Sequence, residues 1–420
     1  MTAPTGSGPE VERLAPDRLA ARRAVEALRC GVPSRDAVAA LGTGQGEVED
    51  RLVALLDTAG TTRAGDGRGL LVGGGFGAGK SHVLEHLAHL ARERDFAVSR
   101  VVVSKETSLH DPVKVLRAAV ESATTPLGTA GAVAEAAAGL DPGSPAYAEL
   151  LRWAGGAGSP VDERFALTLS LLPRVQDSDG DFADAIVRFW SGDPIAVTEL
   201  RRQAKQAGEP RPALPAVPVR ELARQRFGFL ARLFVAAGCQ GWLLLFDEAE
   251  LIGRYTPLQR GRSYAELAHW LRPDPDDPAA PLVTVLAMTD DFDAAVLTAK
   301  GDREQIPAKL RAKQRADWDE VAAGAEVGMR LVERSMTLLS QPDAAELERT
   351  YRRLKELHGA AFGWDPPDVR GLERLGATRM RQYVRAWINE WDLVRLDADY
   401  APVSEVVEVA ASYDEQPELG

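Results

Sequence analysis

Cysteine is nearly absent from this sequence, with only Cys30 and Cys239 among 420 residues. The two lie far apart in the chain, each among apolar neighbours, so a disulfide framework is not expected. Two isolated thiols are typical of a protein from a reducing compartment. We therefore expect a cytoplasmic protein in which both cysteines are packed side chains.

Long apolar runs and an excess of positive charge are also lacking. No stretch approaches the roughly 20 apolar residues of a membrane-spanning helix, and the N-terminal residues do not resemble a secretory signal. The formal net charge is −12. Because duplex affinity comes mainly from neutralised phosphates, this charge argues against a surface that coats nucleic acid indiscriminately. No membrane association is expected, and any DNA contact would have to be local.

The remaining sequence is that of an ordinary globular protein, long enough for two or three domains. Strand candidates alternate with helical patterns and are followed by a block that looks helical from Asp343 to about Arg395, which indicates an α/β core and then an α domain. The predicted segments are an N-terminal helical segment (1–60), an α/β core (61–341) with a helical insertion (about 124–218), a helical segment (342–397) and an acidic flexible tail (398–420).

A glycine-rich loop carries the strongest functional signal. GGFGAGKS, from Gly74 to Ser81, matches G-x-x-x-x-G-K-[ST] in full, between an apolar strand candidate and a long helical pattern. Glycines let backbone N–H groups face phosphate oxygens at the positive end of a helix, and Lys80 reaches the β- and γ-phosphates. The Ser81 hydroxyl is the expected ligand of Mg²⁺. The predicted ATP-binding residues are Gly74, Gly75, Phe76, Gly77, Ala78, Gly79, Lys80, Ser81 and His82.

A second pattern overlaps this loop. His82, Glu85 and His86 spell H-x-x-E-H, which occurs in one class of metalloproteases. The helix that carries them begins inside the phosphate loop, so His82 would lie beside the nucleotide. We therefore prefer the nucleotide site and interpret His86 as a surface or interface residue.

Two acids follow the apolar run Trp242 to Phe246. A buried parallel strand presents the side chains at its carboxyl end to the ligand-binding edge of the sheet. Asp247 would hold Mg²⁺, directly or through water, and Glu248 would activate the attacking water. Alternatively, both are solvated acids at a strand end.

The strand candidate LVTVLAMTDD also ends in polar residues. A side chain there could lie beside the acidic strand and hold the water or the γ-phosphate. Thr289 is our first choice and Asp290 our second. An ordinary polar junction between strand and loop explains the pattern equally well.

Together these residues resemble the AAA+ ATPases, with Walker A at Gly74 to Ser81, Walker B at Asp247 and Glu248, and sensor 1 at Thr289. The resemblance implies a P-loop NTPase core of three layers with a parallel sheet, followed by an all-α lid like that of the origin-recognition and STAND-like branches. GATRMRQYVRAWINEWDL is similar to the sensor-2 helix, which implies that Arg379 reaches the γ-phosphate, with Arg381 as the alternative.

AAA+ subunits often lend an arginine to the site of a neighbour, so the resemblance also implies a homo-oligomer or a partner complex. Arg303, Arg311 and Arg334 are candidates by position, and the sequence favours none of them.

A narrower resemblance is to the BREX phage-defence ATP-binding proteins of the BrxD type. The resemblance is carried by four runs, LLVGGGFGAGKSHVLEHLAHLA, VVVSKETSLHDPVKV, FDEAELIGRYTPLQRGRSYAELAHWL and LAMTDDFDAAVLTAKGDREQIPAKL. It covers most of the chain except the insertion. It implies a role in bacterial antiviral defence, with other proteins of the defence system as partners.

Basic residues alternate in PAKLRAKQRAD, where Lys309, Arg311 and Lys313 are candidate DNA contacts. Arg254, Arg260 and Arg262 form a second basic group. The alternative for both groups is a solvated face, the usual explanation of such runs.

The sequence thus predicts an ATPase that transfers a phosphoryl group to water and drives or switches a partner or a DNA-associated complex. One alternative is a nucleotide-dependent binding or scaffold module with little turnover. Another is an origin-type DNA loader, which is disfavoured because the residues after Leu396 are too few for a winged-helix domain.

Overall fold

Five apolar runs form one sheet in the computed structural model of the chain. The structure describes residues 16–32, 34–61, 68–126, 128, 131–209, 213–273, 277–369, 380–397 and 399–400. The strands are β1 (Gly69–Gly73), β2 (Phe96–Val102), β3 (Gly241–Asp247), β4 (Leu282–Met288) and β5 (Met336–Leu338). Their order is β2-β3-β4-β1-β5, and all neighbours are parallel. Every residue of β3 and β4 is buried, as in a parallel sheet covered by helices. The predicted α/β fold with a parallel sheet is therefore confirmed.

Helices make up most of the remaining described chain. They are α1 (Pro16–Cys30), α2 (Arg35–Leu41), α3 (Gly46–Thr58), α4 (Lys80–Arg92), α5 (Pro112–Glu121), α6 (Ala132–Ala138), α7 (Pro145–Gly155), α8 (Glu163–Val175), α9 (Gly180–Ser191), α10 (Val197–Gln206), α11 (Val219–Ala236), α12 (Pro257–Leu271), α13 (Asp302–Arg311), α14 (Ala316–Arg334), α15 (Ala344–Phe362) and α16 (Met380–Leu396). A 3-10 helix spans Ala249–Arg254 and a π-helical turn spans Asp293–Thr298. Within the part of the chain that the structure describes, no helix could cross a membrane.

The described residues form two units. The first contains those within Met1–Gly44, Gly77–His86 and Ser340–Val409, and the second those within Gln45–Phe76 and Leu87–Leu339. The sheet belongs to the second unit.

Aromatic side chains fill the core of the sheet unit. Trp242 of β3 stacks on Phe227 of α11, with ring centroids 5.8 Å apart, and its indole N–H donates to Ser99 Oγ at 3.0 Å. The hydrogen bond satisfies the polar atom of a fully buried ring. Burying each such side chain stabilises the fold by about 1.5–3 kcal/mol.

The predicted insertion shares this core. Phe165 of α8 and Trp190 of α9 both contact Phe229 of α11, with centroid distances of 4.8 and 5.3 Å. All three rings are fully buried. Helices α8 and α9 are therefore integral to the fold of this unit.

Glycine allows α12 and α14 to approach closely. A Cβ atom on Gly328 of α14 would lie 1.9 Å from the Tyr264 carbonyl oxygen of α12. One turn earlier, a Cβ atom on Gly324 would lie 3.1 Å from that of Ala265. The contact between the helices therefore depends on the missing side chain at Gly328.

We expect Gly328→Ala to lower the free energy of unfolding by about 2 kcal/mol or more, because the methyl group forces the two helices apart. Gly180→Ala is the matched control, since a Cβ atom at this first residue of α9 meets no heavy atom within 4 Å. Its expected effect is a gain of up to about 1 kcal/mol. Urea unfolding followed by circular dichroism measures both, and equal losses would contradict the packing argument.

The other unit contains α1, α2, α15 and α16. Ser34 caps α2, because its Oγ accepts the Ala37 N–H at 3.2 Å. His358 of α15 is fully buried, and its Nδ1 accepts the Trp364 indole N–H at 3.0 Å. This bond fixes the tautomer, so Nε2 donates to Asp392 Oδ1 at 3.2 Å.

Two expectations are wrong in this unit. Residues 363–369 are not helical, because Gly363 ends α15 in the left-handed conformation (φ 70°) and Pro366 and Pro367 cannot continue a helix. Cys30 is exposed at the last residue of α1 instead of packed. Cys239, in the sheet unit, is half-buried, and its burial raises the pKa of the thiol to about 11.

Candidate functional site

The loop after β1 has the backbone that its glycines predict. The Gly74 N–H donates to the Met288 carbonyl at 3.2 Å, so the loop leaves the sheet beside the end of β4. Gly77 and Gly79 have φ values of 81° and 97°, which side chains rarely adopt. Helix α4 begins at Lys80, where its first N–H groups lack partners within the helix. Such a turn can accept an anion.

The carboxyl end of β3 presents the predicted acids. Asp247 is the last residue of β3 and only 3% exposed. Its Oδ1 accepts the Glu248 N–H at 3.0 Å, and its Oδ2 accepts from Arg100 Nη2 at 2.6 Å. Arg100 lies on β2, the neighbouring strand. Both oxygens of the carboxylate are thus held in place by groups of the same unit.

Glu248 has a strained backbone. Its φ and ψ are 59° and 32°, the left-handed conformation, at the start of the 3-10 helix. This conformation costs a non-glycine residue about 1 kcal/mol or more and is concentrated at functional sites. The turn separates the half-buried Glu248 from the buried strand.

The strand order brings three candidate segments to one edge of the sheet. Strand β4 lies between β1 and β3, with Gly73 opposite Met288 and Phe246 opposite Leu286. Thr289, which follows β4, therefore leaves the sheet between the start of the phosphate loop and Asp247.

The two residues after β4 differ in exposure. Thr289 is buried, whereas Asp290 is exposed. A Cβ atom on Gly75 would lie 3.9 Å from each carboxylate oxygen of Asp290, so this acid lies next to the first residues of the loop. Asp290, the second choice from the sequence for holding the water or the γ-phosphate, thus lies close to the start of the candidate phosphate loop.

The histidines after the loop do not form a metal site. His82 Nε2 lies 2.8 Å from the Gly42 carbonyl oxygen, which makes it a donor and prevents this nitrogen from binding a metal. Burial lowers the pKa of His82, against the opposing effect of the hydrogen bond to Gly42. Among the described residues, no group of three or more His, Cys, Asp or Glu side chains could hold a metal ion.

Arg379, the predicted sensor-2 arginine, lies outside the described residues, as does Gly376. The alternative, Arg381, is in α16. Its guanidinium lies beside Gly31, where a Cβ atom would be 3.5 Å from Arg381 Nε.

Several arginines considered as finger or DNA contacts are paired within the chain. Arg303 binds Asp293 and Glu333, and Arg311 binds Glu326 at 2.8 Å. Arg260 is 3% exposed, which contradicts its interpretation as part of a basic surface. It donates to both oxygens of Asp302, at 2.7 and 2.8 Å, because a buried charge needs a partner. Lys309 and Lys313 are exposed.

Sequence patterns gave no sign of the pair between Arg100 and Asp247. Arg100 is an isolated charge within an apolar run, and 147 residues separate it from its partner.

One comparison with known proteins matches part of the chain to a family model. Residues 17–136 match the model of the family described as "BREX system ATP-binding protein BrxC/D". This segment contains the loop from Gly74 to Ser81 and Arg100, and it ends before Asp247. The chain matches no curated protein and no solved structure. Over the segment that carries the phosphate loop, the resemblance to the BREX ATP-binding proteins that the sequence predicts is confirmed.

Proposed function

We propose that the protein binds ATP through the loop from Gly74 to Ser81 and transfers its γ-phosphoryl group to water. The observation that carries this proposal is the common edge formed by the ends of β1, β4 and β3. At this edge β1 leads into the loop, and β3 ends in a buried carboxylate that is followed by a half-buried one. The family match, which covers the loop, supports ATP as the ligand.

The charge on the triphosphate would be offset by backbone N–H groups and by Lys80, which is 8% exposed. A cation in a position of such low exposure is screened less by solvent than one at the surface, so it acts more strongly on an anion. Gly77 and Gly79 allow the chain to turn toward the ligand. His82, which donates to Gly42, would fix the first turn of α4.

The donor set fits Mg²⁺ delivered with the nucleotide. Mg²⁺ prefers oxygen ligands and needs only one or two from the protein when phosphates supply others. Ser81 and Asp247 would be those two residues, with a hydroxyl and a carboxylate. Bound there, Mg²⁺ would supply charge neutralisation to the phosphoryl group.

Glu248 would accept the proton of the attacking water. Its strained turn holds it clear of β3 while the backbone N–H of Glu248 stays bonded to Asp247. Thr289 or Asp290 would orient the water or the γ-phosphate, and Arg379 would sense the γ-phosphate. These roles rest on the sheet edge and on the AAA+ resemblance.

We further propose that hydrolysis switches a partner within a BREX system in the cytoplasm, with the chain acting as the BrxD-type component. Other defence-system proteins or further copies of the chain would be its partners. DNA would be contacted through Lys309 and Lys313, and through Arg311 if it exchanged Glu326 for a phosphate.

A scaffold that holds nucleotide with little turnover is the second candidate. It is favoured by the ion pairs of Arg303 and Arg311, which engage two of the finger candidates with acids of their own chain. On this account hydrolysis would stay slow until a partner arrives.

Steady-state phosphate release, measured with Mg²⁺ and ATP in the presence and absence of DNA, separates these functions. Continuous release supports the ATPase. ATP binding in calorimetry without release supports the scaffold. A chain that binds no ATP at all would contradict both.

A further inference from the structure

We propose that Arg100 is a positioning residue that weakens metal binding at Asp247 until a nucleotide supplies phosphate ligands. This inference rests on the proposed function, because it concerns the same site. It assigns a role to a residue that no motif includes.

The contact between the two side chains is close and enclosed. Arg100 Nη2 lies 2.6 Å from Asp247 Oδ2, and the side chains are 27% and 5% exposed. Because the aspartate is shielded from water, the attraction is stronger than that of a surface ion pair. The guanidinium therefore occupies one side of the carboxylate that the site would use for a cation.

The backbone around both residues is fixed independently of this pair. The Arg100 N–H donates to Ser122 Oγ at 3.1 Å, and the Val103 N–H donates to the Asp247 carbonyl at 2.9 Å. Arg100 also lies within the continuous register of β2 and β3, opposite Leu245. Changing the side chain should thus leave the strands paired and alter mainly the charge beside Asp247.

Two opposing effects follow from that charge. The guanidinium of Arg100 orients the Asp247 carboxylate, which favours metal binding. It also repels any other cation at that carboxylate, which opposes metal binding. Repulsion is the larger effect for a divalent ion, because the Glu248 N–H already holds the other oxygen in place. A divalent ion carries two positive charges, so the guanidinium repels it more strongly than it would a monovalent cation.

The test is a titration with Mn²⁺, followed by electron paramagnetic resonance, first without nucleotide and then with a non-hydrolysable ATP analogue. The differences expected below refer to the titration without nucleotide, and they should shrink when the analogue supplies phosphate ligands. Arg100→Gln removes the charge and keeps a hydrogen-bond donor, and we expect it to bind Mn²⁺ on the order of tenfold more tightly. Arg100→Lys keeps the charge and should stay within about threefold of the wild type. Arg117→Gln, which removes an exposed charge from α5, is the matched control and should have no effect.

Unchanged or weaker Mn²⁺ binding by Arg100→Gln would overturn the inference, as would equal tightening by Arg100→Lys. Thermal unfolding checks that each variant folds. If Arg100→Gln does not fold, Arg100→Met takes its place with the same expected gain. A wild-type protein that binds the analogue but shows no difference from the variants refutes only the role of Arg100. A wild-type protein that binds neither analogue nor Mn²⁺ refutes the proposed function as well.

Discussion

Replacing Lys80 by alanine is expected to weaken ATP binding beyond the range that calorimetry detects. Lys80 is the first residue of α4, it is 8% exposed, and the loop before it turns through two left-handed glycines. Removing one partner of such a buried charge pair costs about 2–5 kcal/mol, or roughly 30- to 5,000-fold in affinity. The backbone N–H groups of the loop would remain, and they do not replace the lost charge.

Lys205→Ala provides the matched control. Lys205 is an exposed lysine of α10, so its removal changes the net charge equally without touching the loop. It should bind ATP as the wild type does. Equal affinity of the wild type and Lys80→Ala would mean that the loop from Gly74 to Ser81 does not hold the triphosphate.

Much of the sheet could be predicted from apolar runs, because buried parallel strands need apolar residues on both faces. The runs at Leu70 to Val72 and Trp242 to Phe246 correspond to β1 and β3. Their ends could also be predicted, since Gly73 and Asp247 are the first residues after the two runs that favour a turn or a ligand. The strand order could not, because nothing local specifies which strand lies beside which.

Contacts between residues far apart in the chain could not be predicted from the sequence either. The charge pattern around Arg260 looks the same whether the side chain faces water or a buried partner, and only the fold brings Asp302 to it. The sequence predicted a helical insertion but not its packing, in which Phe165 and Trp190 contact Phe229 in the core of the sheet unit. The non-helical residues after Gly363 were different, because Pro366 and Pro367 already marked them in the sequence.

Glu248→Gln is expected to retain ATP binding and to lower the rate of hydrolysis about 100- to 10,000-fold, the usual contribution of a general base. The amide has nearly the shape of the carboxylate but cannot accept a proton from water. The contacts of Asp247 involve the backbone N–H of Glu248 and not its side chain, so they should survive the change. Phosphate release measures the rate, and calorimetry with the non-hydrolysable analogue measures binding.

Two further variants make this test decisive. Glu121→Gln changes an exposed glutamate of α5 and should leave the rate unaltered. Asp290→Asn tests the other carboxylate near the loop, which lies next to Gly75. A general base must reach the water that attacks the phosphoryl group. We therefore expect Glu248→Gln to lower the rate of phosphate release more than Asp290→Asn does. If Glu248→Gln turned over ATP at the wild-type rate while Asp290→Asn did not, the base would be the acid that follows β4, and the strained turn at Glu248 would need another explanation.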